Sequence, residues 1–98
     1  MTAACTTADV PLGEGRAVVL DGMRIAVFNT PSGWYAVDAA CPHMGGPLAD
    51  GIVYGSSVIC PLHDRSFDLA TGATRSDCGG VSAYRAEARG GVVYVDLA

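Results

Sequence analysis

Apolar residues in this chain come in short runs broken by turn residues, and that rhythm predicts strands. The run RAVVLDGMRIAVF, residues 16–28, holds Asp21-Gly22 between two apolar stretches. This dipeptide accepts the positive φ angles of a tight hairpin, so the stretch reads as strand, turn, strand. A second turn signal, TPSG at 30–33, leads into Trp34-Tyr35-Ala36-Val37, whose aromatic and branched side chains favour a third strand. Ile52-Val53-Tyr54 and Ser57-Val58-Ile59, separated by Gly55, read as short strands feeding Cys60. Val81 to Glu87 and Val92 to Leu97 read as a C-terminal hairpin about Arg89-Gly90-Gly91.

No segment sustains a 3.6-residue apolar period. Close-spaced short strands with glycine-rich turns predict an all-β chain, a small antiparallel sandwich or barrel. One domain spans 1–98, with no internal repeat and no linker long enough to divide it. The exception to the strand rhythm is AACPHMGGPLADG, residues 39–51, whose two prolines and three glycines predict an elaborate loop. The first ten residues, MTAACTTADV, are expected to be frayed.

Composition narrows the class. A chain of 98 residues buries only about 60–70% of its unfolded surface, so its core is thin and a metal or cross-link would help. Half of the residues are hydrophobic and 16% are charged, which suits a folded domain rather than a disordered one. Six basic residues, all arginine, stand against ten acidic ones, a formal charge of -4, and no basic cluster occurs, so nucleic acid is not an expected partner. The N-terminus lacks a basic segment followed by an apolar core, and no run approaches the roughly 20 apolar residues of a membrane span. A cytoplasmic protein with no membrane association is expected.

In a reducing cytoplasm, four cysteines point to metal ligation or free thiols rather than disulfides. Cys5 and Cys78 have no histidine nearby and are read as bystanders. The other two form half-sites: Cys41-x-His43 in CPHMGG and Cys60-x-x-His63 in CPLHDRSF. Both histidines of the chain fall within three residues of a cysteine, each pair in its own loop. Two thiolates and two imidazoles suit tetrahedral zinc or an iron–sulfur centre. Zinc fingers commonly pair Cys with Cys and His with His, whereas each half here supplies one of each. The mixed arrangement allows both Cys on one iron and both His on the other.

CPHMGGPLADG followed by CPLHDRSFDLATG resembles the cluster-binding subdomain of Rieske ferredoxins, over most of the chain from Arg16 to the last strand. Within that family, GEGRAVVLDGMRIAVFNT, GGPLADG and the CPLHD loop are similar to the small subunit of assimilatory NAD(P)H-dependent nitrite reductases. The resemblance implies one [2Fe–2S] cluster per chain in a subdomain of about residues 39–73. It implies Cys41 and Cys60 as thiolate ligands of the inner iron, and His43 and His63 as imidazole ligands of the outer, solvent-near iron. Gly45 and Gly46 would let backbone approach the sulfides, and Pro42 and Pro61 would stiffen the start of each loop. Phe67 and Leu69 are expected to pack beneath the second loop, and Thr71-Gly72 to turn.

Departures from the family pattern are also legible. Respiratory Rieske proteins carry an extra cysteine in each loop, joined as a disulfide; the matching positions here are Gly46 and Leu62. A serine that donates to a bridging sulfide in those proteins corresponds to Arg65, and Asp64 replaces the glycine that usually follows the second histidine. These changes favour the oxidised cluster and imply a low potential.

No catalytic constellation accompanies the ligands, and no phosphate-cradling glycine loop is present. The leading expectation is an electron-transfer subunit, without a complete active site of its own, of a nitrite reductase whose large subunit holds flavin, siroheme and substrate. The alternatives are a free ferredoxin serving an aromatic-ring dioxygenase and, from another class, a zinc-stabilised interaction module.

Overall fold

A computed structural model of the chain describes residues 1–40, 47–61, 66–74 and 80–97. Nine strands occur among them: β1 (Thr2–Thr6), β2 (Gly15–Leu20), β3 (Met23–Thr30), β4 (Gly33–Asp38), β5 (Ile52–Tyr54), β6 (Ser57–Ile59), β7 (Ser66–Asp68), β8 (Ala83–Arg89) and β9 (Val92–Asp96). Two single-turn 3₁₀ segments, Thr7–Asp9 and Leu48–Asp50, interrupt them. All pairings are antiparallel, in a six-stranded sheet of order β1-β9-β8-β4-β3-β2 and a three-stranded sheet of order β5-β6-β7. The fold is all-β, as its short apolar runs predict. No helix among the described residues is long and apolar enough to cross a membrane.

The β2–β3 hairpin turns at Asp21 and Gly22, with φ of 50° and 77°. Two consecutive positive φ values match the right-handed twist of the flanking strands, and Asp-Gly tolerates them best. The β3–β4 turn closes at the Thr30↔Gly33 pair. There the Thr30 hydroxyl donates to the Gly33 carbonyl at 2.8 Å and accepts from the Ser32 N–H at 3.2 Å. The C-terminal hairpin turns on Gly90 and Gly91, both with positive φ, so Arg89 belongs to the strand. Strand β8 begins at Ala83 rather than Val81, because the Val81 N–H is taken by the Gly72 carbonyl at 2.8 Å.

The six-stranded sheet curls into a barrel because one face of it is apolar on every strand. Leu20, Ile25, Val27, Ala36, Val93 and Val95 meet in its interior, with Ala4, Cys5, Tyr84 and Ala86 packed against them. Strands β3 and β4 are buried on both faces. The alternate residues Ala26, Phe28, Val37 and Ala39 point away from the barrel and pack with Leu48, Val58, Cys60, Phe67 and Leu69 of the second lobe. Period-2 alternation thus lets one strand pair serve two cores.

The N-terminal segment corrects an expectation. Residues 2–6 are not frayed; they form β1, hydrogen-bonded to β9 in the register Thr2↔Val95 to Thr6↔Val92, with an irregularity between Ala3 and Cys5. Val10 is 1% exposed. The small residues of TAACT carry little strand propensity, and what orders them is the otherwise open edge of β9 and the barrel core behind it. Strand β7 is a further addition, since Ser66-Phe67-Asp68 is too short and mixed to announce itself.

Candidate functional site

Two loop roots stand at one end of the small lobe. The first is closed by a bridge between Ala40 and Pro47 and by the Leu48 N–H donating to the Ala39 carbonyl at 2.9 Å. The second is closed by the last β6–β7 pair, Ile59↔Ser66. Because β5 and β6 are antiparallel with Ile52 opposite Ile59, the chain leaving Ile59 runs back beside the chain that precedes Ile52. Cys60 therefore comes alongside Gly51 and the 3₁₀ turn that ends the first loop. Pairing alone brings the roots of both half-sites together.

The two limbs touch closely at Gly51. A Cβ there would run into the Ile59 carbonyl oxygen and lie 2.8 Å from Val58 Cγ2. Glycine is required at this point for space and not for conformation, since its φ is -73°. The Gly51 N–H donates to the Leu48 carbonyl at 2.9 Å, which completes the turn.

Of the four residues assigned to the site from sequence, Cys60 lies among the described residues. Cys41, His43 and His63 lie outside them, as do Pro42, Gly45, Gly46, Leu62, Asp64, Arg65 and Cys78. Cys60 is wholly buried, is not in a disulfide, and sits among Leu48, Val58, Phe67 and Leu69. Pro61, next to it, is already exposed. The chain thus passes from a dry core to the surface within one residue. A thiolate ligand of the inner iron of a two-iron centre calls for such a place, in a sealed pocket with the following loop free to reach outward. The described residues fit the group.

Loop two rests on a stiff base. Phe67 and Leu69 are buried as expected, at 0% and 1% exposure. The turn after β7 is held by Asp68, whose Oδ1 accepts from the N–H groups of Ala70 at 2.8 Å and Thr71 at 3.2 Å. Gly72, at φ 79°, donates its N–H to the Asp68 carbonyl at 2.6 Å. Thr74 Oγ1 donates to the Ser66 carbonyl at 2.8 Å, and Phe67 bridges Thr74.

Cys5 belongs to a different core. It packs half-buried against the barrel interior, and burial, then Asp9, raises its thiol pKa above the ordinary value. Nothing places it near the loop roots, in keeping with its reading as a bystander.

The family model of the Rieske [2Fe-2S] domain matches residues 1–83. The ferredoxin component of the naphthalene 1,2-dioxygenase/salicylate 5-hydroxylase systems of Ralstonia sp is 37% identical over 70 residues, 71% of this chain and 66% of that protein's length. Among solved structures, the ferredoxin of Sphingomonas yanoikuyae B1 superposes with a TM-score of 0.85 at 33% identity, covering 98% of this chain and 97% of that one. A Mycobacterium tuberculosis protein, named provisionally as an NADH-dependent nitrite reductase small subunit, gives a TM-score of 0.88 at 29% identity, covering 99% of this chain and 95% of that one.

Proposed function

We propose, for a chain that belongs to the family of Rieske [2Fe–2S] domains, that Cys41 and Cys60 hold one iron and His43 and His63 the other, and that the protein is the electron-transfer subunit of an assimilatory nitrite reductase. Its cofactor is a Rieske-type [2Fe–2S] cluster, which sets aside the zinc-stabilised module. The cluster supplies one-electron redox chemistry at a potential raised by its imidazole ligands. The chain supplies the rest. Buried Cys60 keeps its sulfur from water, and the antiparallel β5–β6 pair sets the second root against the first. Pro61, exposed directly after Cys60, marks where the chain leaves the core.

The observation that carries the electron-carrier reading is Cys60, a fully buried, unbridged thiol at the mouth of a loop, in a chain whose family match covers both half-sites. The nitrite reductase reading is supported by the GGPLADG and CPLHD loops, and by near-complete mutual coverage with the Mycobacterium tuberculosis protein. A second reading, a ferredoxin feeding an aromatic-ring dioxygenase, is favoured by higher identity, 37% to the Ralstonia ferredoxin component against 29%.

Reconstitution separates them. The purified chain, added to a siroheme-containing large subunit isolated without it, is expected to restore NAD(P)H-dependent nitrite reduction, and a folded His63→Ala chain to bind without restoring it. Restoration of ring hydroxylation in an oxygenase and reductase mixture, with no effect on nitrite reduction, would establish the second reading instead. Full nitrite turnover with His63→Ala would leave the chain a structural subunit.

A further inference from the structure

One carboxylate outside the ligand set stands at the root of the first loop. Along β4, Ala36 packs into the barrel and Val37 and Ala39 into the small lobe. The same alternation turns Asp38 to the barrel side at the place where the chain leaves the sheet. Pairing with β8 covers only Ala36↔Tyr84 and Val37↔Ala83, so Ser82 stands opposite Asp38 just beyond it and Tyr84 is its diagonal neighbour on the same face. Three hydrogen bonds converge here. The Asp38 N–H donates to the Ser82 carbonyl at 3.0 Å, Oδ2 accepts from the Ser82 N–H at 2.9 Å, and Oδ1 accepts from the Tyr84 hydroxyl at 2.8 Å.

The next residues carry this anchorage onward. The Ala39 N–H donates to the Arg24 carbonyl at 3.0 Å, its carbonyl accepts from Leu48, and Ala40 bridges Pro47. Only two residues, Ala39 and Ala40, therefore separate a carboxylate with both oxygens engaged from Cys41. This one side chain thus ties the exit of β4 to both Ser82 and Tyr84.

We propose that Asp38 is a positioning residue for the cluster, clamping the exit of β4 to β8 so that the first loop leaves the barrel in one direction. The inference rests on the reading that Cys41 is a ligand, and it adds that the loop's aim is set from the barrel side rather than from within the loop. Two metal-bearing loops share one rigid centre, so freedom at either root loosens the ligands it carries.

The test compares holoproteins by the rate of iron loss to a chelator and by the width of the EPR signal of the reduced cluster. Asp38→Ala is expected to lose iron about tenfold faster than wild type, with a broadened signal and an unchanged far-UV spectrum. Asp38→Asn should behave as wild type, because its amide oxygen accepts from Ser82 while its NH₂ donates to a Tyr84 hydroxyl turned acceptor. Tyr84→Phe removes one donor, leaves the ring in place, and should fall between them. It keeps the test available if Asp38→Ala does not fold. Wild-type iron retention and line width in Asp38→Ala or in Tyr84→Phe would overturn the proposal, as would an Asp38→Asn as labile as Asp38→Ala. Cys60→Ser is the control: iron kept in that variant overturns the ligand reading and this inference with it, whereas iron lost there but held normally in the Asp38 and Tyr84 variants overturns the inference alone.

Discussion

Two glycines with nearly the same backbone angle show how differently a residue can be constrained. Gly22 (φ 77°) has nothing within 4 Å of where a Cβ would stand, whereas a Cβ on Gly72 (φ 79°) would meet the Val81 carbonyl. Gly22→Ala should therefore cost only the left-handed strain, about 1 kcal/mol. Gly72→Ala adds a backbone collision and should cost at least about 2 kcal/mol, read from urea unfolding midpoints. Tyr84 makes a pH-dependent prediction. Burial first, then its hydrogen bond to Asp38, raises its hydroxyl above the ordinary tyrosine value. The folded state thus holds this proton more tightly than the unfolded chain does. The resulting stabilisation is complete below about pH 10, the unfolded value, and is lost as pH rises through the higher folded one. Alkaline unfolding curves of wild type and Tyr84→Phe should differ in slope above that pH and run parallel below it.

At the scale of elements, β1 shows a strand made by its neighbour. It covers the outer edge of β9, and Ala4 and Cys5 close the barrel interior over Val93 and Val95. None of its residues enters the small-lobe core around Cys60. Deleting residues 1–6 should lower the melting temperature by several degrees, since about 1 kcal/mol moves it 4–8 °C in a domain of this size. It should also promote self-association through the exposed β9 edge, seen by light scattering. Iron content per chain should stay at the wild-type level. Equal loss of iron and stability would show that the barrel and the small lobe fold as one unit at this point.

The whole molecule is two cores sharing the β3–β4 pair. The buried residues of the barrel core come from β2, β3, β4 and β9, while the other core collects Leu48, Val58, Cys60, Phe67 and Leu69 from the small lobe. Chelating the iron should therefore raise amide exchange in residues 47–61 and 66–69 and leave β2, β3 and β9 protected, as hydrogen-exchange mass spectrometry can resolve. The electronic property of the whole follows from its loops. The resemblance sets Gly46 and Leu62 against the cysteines that tie the loops of respiratory Rieske proteins, and Arg65 against a hydroxyl donor. In a family spanning roughly -150 to +300 mV, the midpoint should lie in the lower third, below about 0 mV, by protein-film voltammetry.

Strands β2 to β6 and the C-terminal hairpin were legible in the chain because their signals are local: Asp21-Gly22, Gly55 and Gly90-Gly91 occupy the turns, with apolar runs between them. Donor chemistry was legible too, written twice in the short motifs Cys41-x-His43 and Cys60-x-x-His63, of which Cys60 lies among the described residues. The geometry of the site was not. That β1 is a strand depends on an edge supplied by residues nearly ninety positions away. Gly51 reads in sequence as an ordinary loop glycine, and only the approach of Ile59 shows that a methyl group has no room. Asp38 reads as a polar strand end, and only the register of β4 on β8 gives its two oxygens to Ser82 and Tyr84. Local sequence determined which residues turn, which run extended and which side chains offer metal donors, since those depend on dihedral preference and donor type. Which strands are neighbours, and hence where the two loop roots meet, was decided by long-range burial and hydrogen bonding, which no short window of sequence contains.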